Sequence, residues 1–163
     1  MTDSNDARED YLAMRDSVFS VQLATVTADG KPEASYAPCA WVENNFYLFL
    51  SQLSSHTGNL AQNPSISLLL IEDAAATSNH FARKRASLHG RVRVIAREDE
   101  AFARIMQAFH RRFGKVMEII EPLPDFQLFC VEAESGSFVR GFGQAYELSG
   151  AALDQLAPVD PRK

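Results

Sequence analysis

Apolar and polar residues alternate over much of the chain, and short turn signals interrupt the alternation. That pattern reads as antiparallel strands joined by tight turns, not as strand–helix–strand crossovers. Residues 18–27 give a first strand. Ala28-Asp29-Gly30-Lys31 gives a hairpin turn, because Asp-Gly tolerates the positive φ that such turns need. The return strand covers residues 32–42, where Pro38 marks an edge, a bulge or a ligand-facing backbone. Asn44-Asn45 turns the chain into an apolar run at 46–50, and a second apolar run covers 66–71. Residues 72–80 read as a polar, Ala-rich loop. Residues 83–94 form a long alternating strand. Arg83, Arg85, Ser87, His89, Arg91 and Arg93 fall on one face, and Lys84, Ala86, Leu88, Gly90, Val92 and Val94 on the other. Glu121-Pro122-Leu123-Pro124-Asp125 links into a strand at 126–133, Ser135-Gly136 reads as a turn, and residues 138–142 as a further strand. Gly141 and Gly143 permit a bulge or a close backbone approach after it.

Helical spacing appears in two places. Residues 7–17 place Tyr11 and Met14 on one side, with Val18 next in line. Residues 98–113 line up Phe102, Ile105, Met106, Phe109 and Phe113 at three- and four-residue steps. Glu98, Asp99 and Glu100 open this second helix and His110, Arg111 and Arg112 close it, as the helix dipole favours. Gly114 supplies a stop. Its Phe stripe faces a core, and His110 belongs on the surface of the last turn. Residues 1–6 read as a loose end, and residues 149–163 as a short helix and a frayed tail. The sum is a single domain, mainly β with flanking helices: a six- to seven-stranded antiparallel barrel, closed so that no edge is exposed.

Composition changes this picture little. The chain of 163 residues is 46% hydrophobic and 23% charged, ordinary for a soluble globular protein with a real core. Its formal net charge of -5 gives no general attraction to nucleic acid or anionic lipid. Cys39 and Cys130 both sit in apolar strand-like runs and read as buried free thiols. A signal peptide and an apolar run of membrane length are both lacking, so a cytoplasmic location is expected.

Candidate chemistry concentrates at Ser51-Gln52-Leu53-Ser54-Ser55-His56-Thr57, where a strand gives way to a short helix ended by Asn63-Pro64. The first N–H groups of a helix are unpaired and attract anions, so these hydroxyls could seat a phosphate. They could equally be an N-cap with no ligand. The arginine-bearing face at 83–93 is either solvated or the wall of an anion-binding cleft. Arg83-Lys84-Arg85, the densest positive cluster, favours the cleft. Nucleophile motifs, P-loops, dinucleotide glycine motifs and zinc spacings are missing, and His56, His80, His89 and His110 form no metal pair. Any enzymatic chemistry would therefore come from a bound cofactor.

Leu23-Ala24-Thr25-Val26 with Asp29-Gly30-Lys31-Pro32, then Ser51 to Thr57, then Asn63-Pro64, resemble the FMN-binding split barrel of the pyridoxamine 5'-phosphate oxidase superfamily. Ser35-Tyr36-Ala37-Pro38, Ser55-His56 with Asn59-Leu60, Ile71-Glu72-Asp73, Phe81-Ala82-Arg83-Lys84-Arg85, Arg112-Phe113-Gly114 and Gly141-Phe142-Gly143-Gln144-Ala145-Tyr146 are similar to the HugZ/HutZ haem-utilisation branch. The resemblance implies a homodimer with FMN at the subunit interface. The flavin ring would contact the backbone of Ser35, Tyr36, Ala37 and Pro38. Contacts just after the third strand would fall to Leu50, Ser51 and Ser55, and the phosphate-holding pair to His56 and Thr57. In the oxidases an Arg-Lys pair stands where this chain has His56 and Thr57, and a second arginine and lysine where it has Ser35 and Ala40. A phosphate of about −2 charge then needs other donors, for which Arg83, Lys84 and Arg85 are the candidates. Oxidation of pyridoxamine phosphate itself is not expected. The main expectation is an FMN-dependent oxidoreductase acting on a small substrate, with no metal site. The alternative is a haem-binding or haem-degrading protein. That branch carries an axial histidine beyond its Gly-Phe-Gly-Gln-Ala-Tyr motif, whereas no histidine follows Tyr146 here, so the iron would have to recruit His56, His80 or His89. A non-catalytic flavin module is a third possibility.

Overall fold

Period-two alternation becomes an inside and an outside. Along β1 (Ser20–Val26), Val21, Leu23 and Thr25 are buried while Gln22 and Ala24 are exposed. The computed structural model describes residues 2–160. Its other strands are β2 (Pro32–Val42), β3 (Asn45–Ser51), β4 (Ser65–Ile71), β5 (Arg85–Ile95), β6 (Phe126–Gly141), β7 (Gln144–Ser149) and β8 (Gln155–Pro158). All pair antiparallel in the order β3-β2-β1-β4-β5-β6-β7-β8, and β3 also pairs with β6, which closes the first six into a barrel. Leu23, Leu48, Leu68, Leu88 and Phe129 are among the side chains that fill it.

Several local expectations change. Residues 2–6 are not loose: α1 runs Thr2–Ser17, and Ala7, Tyr11 and Met14 join the barrel core. Met1 and residues 161–163 lie outside the described residues. Ser135-Gly136 is not a turn, since β6 runs straight through it. Gly136 is there because a Cβ would sit 2.7 Å from the Ser87 carbonyl oxygen, too close for any side chain. The tail is not helical but supplies β8, anchored where Arg8 of α1 grips Asp154 at 2.7 Å. The strand expected from Arg83 starts at Arg85. The second turn lies at Glu43-Asn44, both with positive φ, one residue before the expected position. Pro38 marks neither an edge nor a pairing break: it is the last partner of β1 before Cys39 takes up β3, so the missing N–H falls at the changeover.

The long helix behaves as its sequence promised. In α3 (Glu100–Phe113), Asp99 caps the start by accepting from Ala101 N at 2.8 Å, and Gly114 (φ +67) ends it. Phe102, Ile105, Met106 and Phe109 pack outside the barrel with Phe49, Ile95 and Leu128 in a second core. A short α4 (Val116–Ile120) follows and adds Met117 to that core. His110 pairs with Glu121. Cys39 and Cys130 are buried free thiols, as expected, and burial pushes Cys39 up to about 12. No helix of the described residues is long and apolar enough to cross a membrane.

Gly90 leaves no room for a side chain where β5 meets β6, because an added Cβ would lie 2.1 Å from the Glu132 carbonyl oxygen. Gly58, inside the helix at Ser55–Gln62, meets nothing within 4 Å. Gly90→Ala should therefore lose more than about 2 kcal/mol, and Gly58→Ala should gain about 0.5–1 kcal/mol. Urea unfolding of both variants checks the pair, and an unchanged Gly90→Ala would contradict this strand approach.

Candidate functional site

The Ser51–Thr57 segment plugs one end of the barrel. β3 ends at Ser51, and α2 (Ser55–Gln62) crosses that end before β4 begins. Three of its four hydroxyls are spent inside the chain. Ser51 Oγ donates to Asp125 Oδ2 at 2.7 Å, Thr57 Oγ1 donates to the Ser51 carbonyl at 2.6 Å, and Ser55 Oγ donates to the Glu33 carboxylate. Asn59 Nδ2 donates to Thr25 Oγ1 at 3.0 Å and to the same Glu33 carboxylate at 3.4 Å. His56 Nδ1 lies 3.0 Å from Ser35 Oγ. Ser54 takes the N-cap position without a side-chain capping bond. Thr25, His56 and Thr57 are thus buried polar groups with partners, as burial demands.

This chemistry does not suit a phosphate within one chain. Glu33 holds its carboxylate against the first turn of α2, where a dianion would have to sit. His56 adds no positive charge: its burial, only partly offset by the nearby Glu33 charge, holds it below the ordinary imidazole value of 6.5. The three basic residues do not come to the turn either. Arg85 pairs with Ile71, where β4 ends, while α2 leads into Ser65, where β4 begins. Seven residues of strand, roughly 20 Å, separate the two ends. Arg83 Nε donates to the Glu72 carbonyl at 2.7 Å, Arg85 donates to the Arg83 carbonyl at 2.9 Å, and Lys84 Nζ lies 3.4 Å from Asp10 of α1. Arg140 joins that last pair at 2.7 Å. Burial opposes ionisation of Asp10, but these two cations outweigh it and hold the carboxyl below its usual range. Arg83 and Lys84 are thus ties for the β4–β5 loop and for α1. Any phosphate site joining both groups would need a second copy of the chain.

The remaining mapped residues split by strand parity. Ser35 and Ala37 turn inward, with Ala37 fully buried, and Leu50 belongs to the core. Tyr36 turns outward and is 60% exposed, beside an exposed Pro38. They belong to a second feature, the bare outer face of β2, β1, β4 and β5. Two rows of partners cross it: Tyr36, Gln22, Leu69 and Ser87, then Ala34, Ala24, Ser67 and His89. None of the eight carries a fixed charge, and no helix covers them. At one end of the second row His89 is exposed, with Nδ1 2.8 Å from Ser67 Oγ. An open groove of about 310 Å³ runs beside it, bordered by Ala24, Pro32, Ser67, Arg91 and Glu134.

Sequence reasoning missed Glu33, Asn59 and Asp125 as plug residues and Ser67 as the partner of His89. Parity held the signal for Glu33, which shares the inward register of Ser35, Ala37 and Cys39. The others depend on contacts 22 or more residues away in sequence, which no local pattern carries. Among the described residues, no group of three or more His, Cys, Asp or Glu side chains could hold a bare metal ion.

A barrel of six antiparallel strands with a helical plug and a bare sheet face defines a split-barrel protein. The family model for pyridoxamine 5'-phosphate oxidase matches residues 8–140. The haem oxygenase HutZ of Vibrio cholerae is 37% identical over 134 residues, 82% of this chain and 76% of that protein. A crystal structure of HutZ, described there as a haem storage protein, aligns with a TM-score of 0.74 at 31% identity, over 77% of this chain and 89% of that one. ChuZ of Campylobacter jejuni aligns with a TM-score of 0.88 at 29% identity, over 98% of this chain but only 66% of that longer one. The chain belongs to the pyridoxamine 5'-phosphate oxidase family, on its HutZ-like branch.

Because His56 stays neutral in the fold, the unfolded chain takes up a proton that the folded chain refuses. The plug's contribution should be complete above the ordinary value of 6.5 and should fall as pH drops below it through the depressed folded value. His56→Gln should flatten the pH dependence of the urea midpoint as the pH falls below 6.5. Identical slopes in variant and parent would mean that His56 is not buried as described.

Proposed function

We propose that this protein binds haem as a homodimer, with the porphyrin held between two copies at the outer face of β2, β1, β4 and β5. One observation carries the reading: two cross-strand rows free of fixed charge on an open sheet face, with an exposed imidazole at the end of one and Arg91 beside it, on a chain 37% identical to a haem oxygenase. A porphyrin is flat and largely apolar, and a face built of Ala24, Ala34, Tyr36, Gln22 and Leu69 gives it a low floor. Small-molecule sites are typically apolar with a few placed polar groups. Haem iron needs an axial ligand, and when bound it supplies the redox chemistry of the site. The chain's own residues supply the floor, the imidazole and, at the groove, the Arg91 cation.

The flavin reading suggested by the sequence rests on the family as a whole. Within one chain its phosphate seat is already filled by Glu33, and its basic wall stands at the other end of β4. Haem needs neither. Its carboxylates are carried at the edge of a large apolar ring, so a cation beside the sheet face is enough to receive one.

The test is a spectrum and a mass. Purified protein loaded with haem and passed through gel filtration with light scattering should keep a sharp Soret band at about twice the 18.1 kDa chain mass. Retained flavin bands after FMN loading, with no Soret band after haem loading, would overturn the reading, and a monomer mass would overturn its dimeric form.

A further inference from the structure

We propose that His89 is the iron ligand of this protein, with Ser67 as the residue that sets its tautomer. The inference rests on the haem-binding reading above and goes beyond it by choosing among the four histidines on their geometry. His56 is buried at 7% exposure inside the α2 plug, with Nδ1 committed to Ser35. Reaching it would require the plug to leave the barrel. His110 places Nε2 on Glu121, on the side of the barrel covered by α3 and α4. His80 is exposed in a short 3-10 turn, Ala82 included, and no side chain orients its ring among the described residues.

His89 differs from these on each count. It stands on a strand hydrogen-bonded on both sides, paired with Ser67 on β4 and Ser135 on β6. Its ring is exposed, and the 2.8 Å contact to Ser67 Oγ is made through Nδ1. If Nδ1–H donates to that hydroxyl, the lone pair lies on Nε2, which has no partner among the described residues. That is the arrangement metal-binding histidines use: one nitrogen held by a hydrogen bond, the other presented to the metal. The neighbours on its row suit a planar ligand. Ser67, Ala24 and Ala34 extend across three further strands without a side chain longer than a hydroxymethyl group. With strands about 4.8 Å apart, the row extends roughly 14 Å from His89, more than the half-width of a porphyrin whose iron is held at that imidazole. Arg91 follows two residues later on the same strand face and is exposed, placing a guanidinium where a ring carboxylate can reach it. Glu134 borders the same groove and sets a limit on that side, since a carboxylate would not approach it.

The experiment titrates the full chain with ferric haem and compares the parent with His89→Ala, His80→Ala, His56→Gln and Ser67→Ala. His89→Ala should lose the sharp Soret band and bind haem more weakly by at least about tenfold. Far-ultraviolet circular dichroism checks that each variant is folded. Free imidazole added to His89→Gly should restore the band, which a merely structural residue would not allow. His80→Ala and His56→Gln should keep the parent spectrum. Ser67→Ala should keep the band but lower the iron–imidazole stretching frequency in the resonance Raman spectrum of the ferrous form, because the ring loses its hydrogen-bond acceptor. A His89→Ala spectrum and affinity equal to the parent's would overturn the assignment while leaving haem binding intact. No Soret band in the parent itself would overturn haem binding first.

Discussion

The pairing of β3 with β6 decides where this molecule can do chemistry. It closes six strands into a ring, and the ring is too narrow to hold anything but its own side chains. Leu23, Leu48, Leu68, Leu88, Phe129 and Phe138 occupy the middle. Polar groups are left to the ends, where α2 and its partners Glu33, Ser35 and Thr25 form a hydrogen-bonded stopper. A ligand must therefore bind outside. On the outside, α3 and α4 bury Phe49, Ile95 and Leu128 on one side and leave the faces of β1, β2 and β4 bare.

Charge follows the same division. Near α1 and the β4–β5 loop, Asp10 engages Lys84 and Arg140 and the Glu72 carbonyl engages Arg83. The barrel plug holds two carboxylates, Glu33 and Asp125, and one imidazole. After β3 the plug is held by hydrogen bonds to the Glu33 and Asp125 carboxylates, to the Ser51 carbonyl and between His56 and Ser35, which stabilise an end cap without holding an anion.

Much of the fold could be read from the sequence. Strand alternation, the Asp29-Gly30 hairpin and the Phe102–Phe109 stripe are local signals, and each is found where its period placed it. The errors came where a local rule met a distant partner. Gly136 looks like a turn residue but is a contact residue, forced by the Ser87 carbonyl. Residues 155–158 look like a tail but pair with β7. The site was less legible. Serines at a helix start read the same whether they face a ligand or a carboxylate of their own chain, and Glu33 lies 22 residues before Ser55. The family resemblance set the fold and its branch correctly.

The central claim is spatial: the ligand lies on the outer sheet face and not in the α2 plug. The most direct measurement is a crystal of the haem-loaded protein, with anomalous scattering collected at the iron edge. The account predicts an iron peak within coordination distance of His89 Nε2, above the row that runs through Ser67 and Ala24. An iron peak at His56, or anywhere on the far side of the barrel under α3, would contradict it.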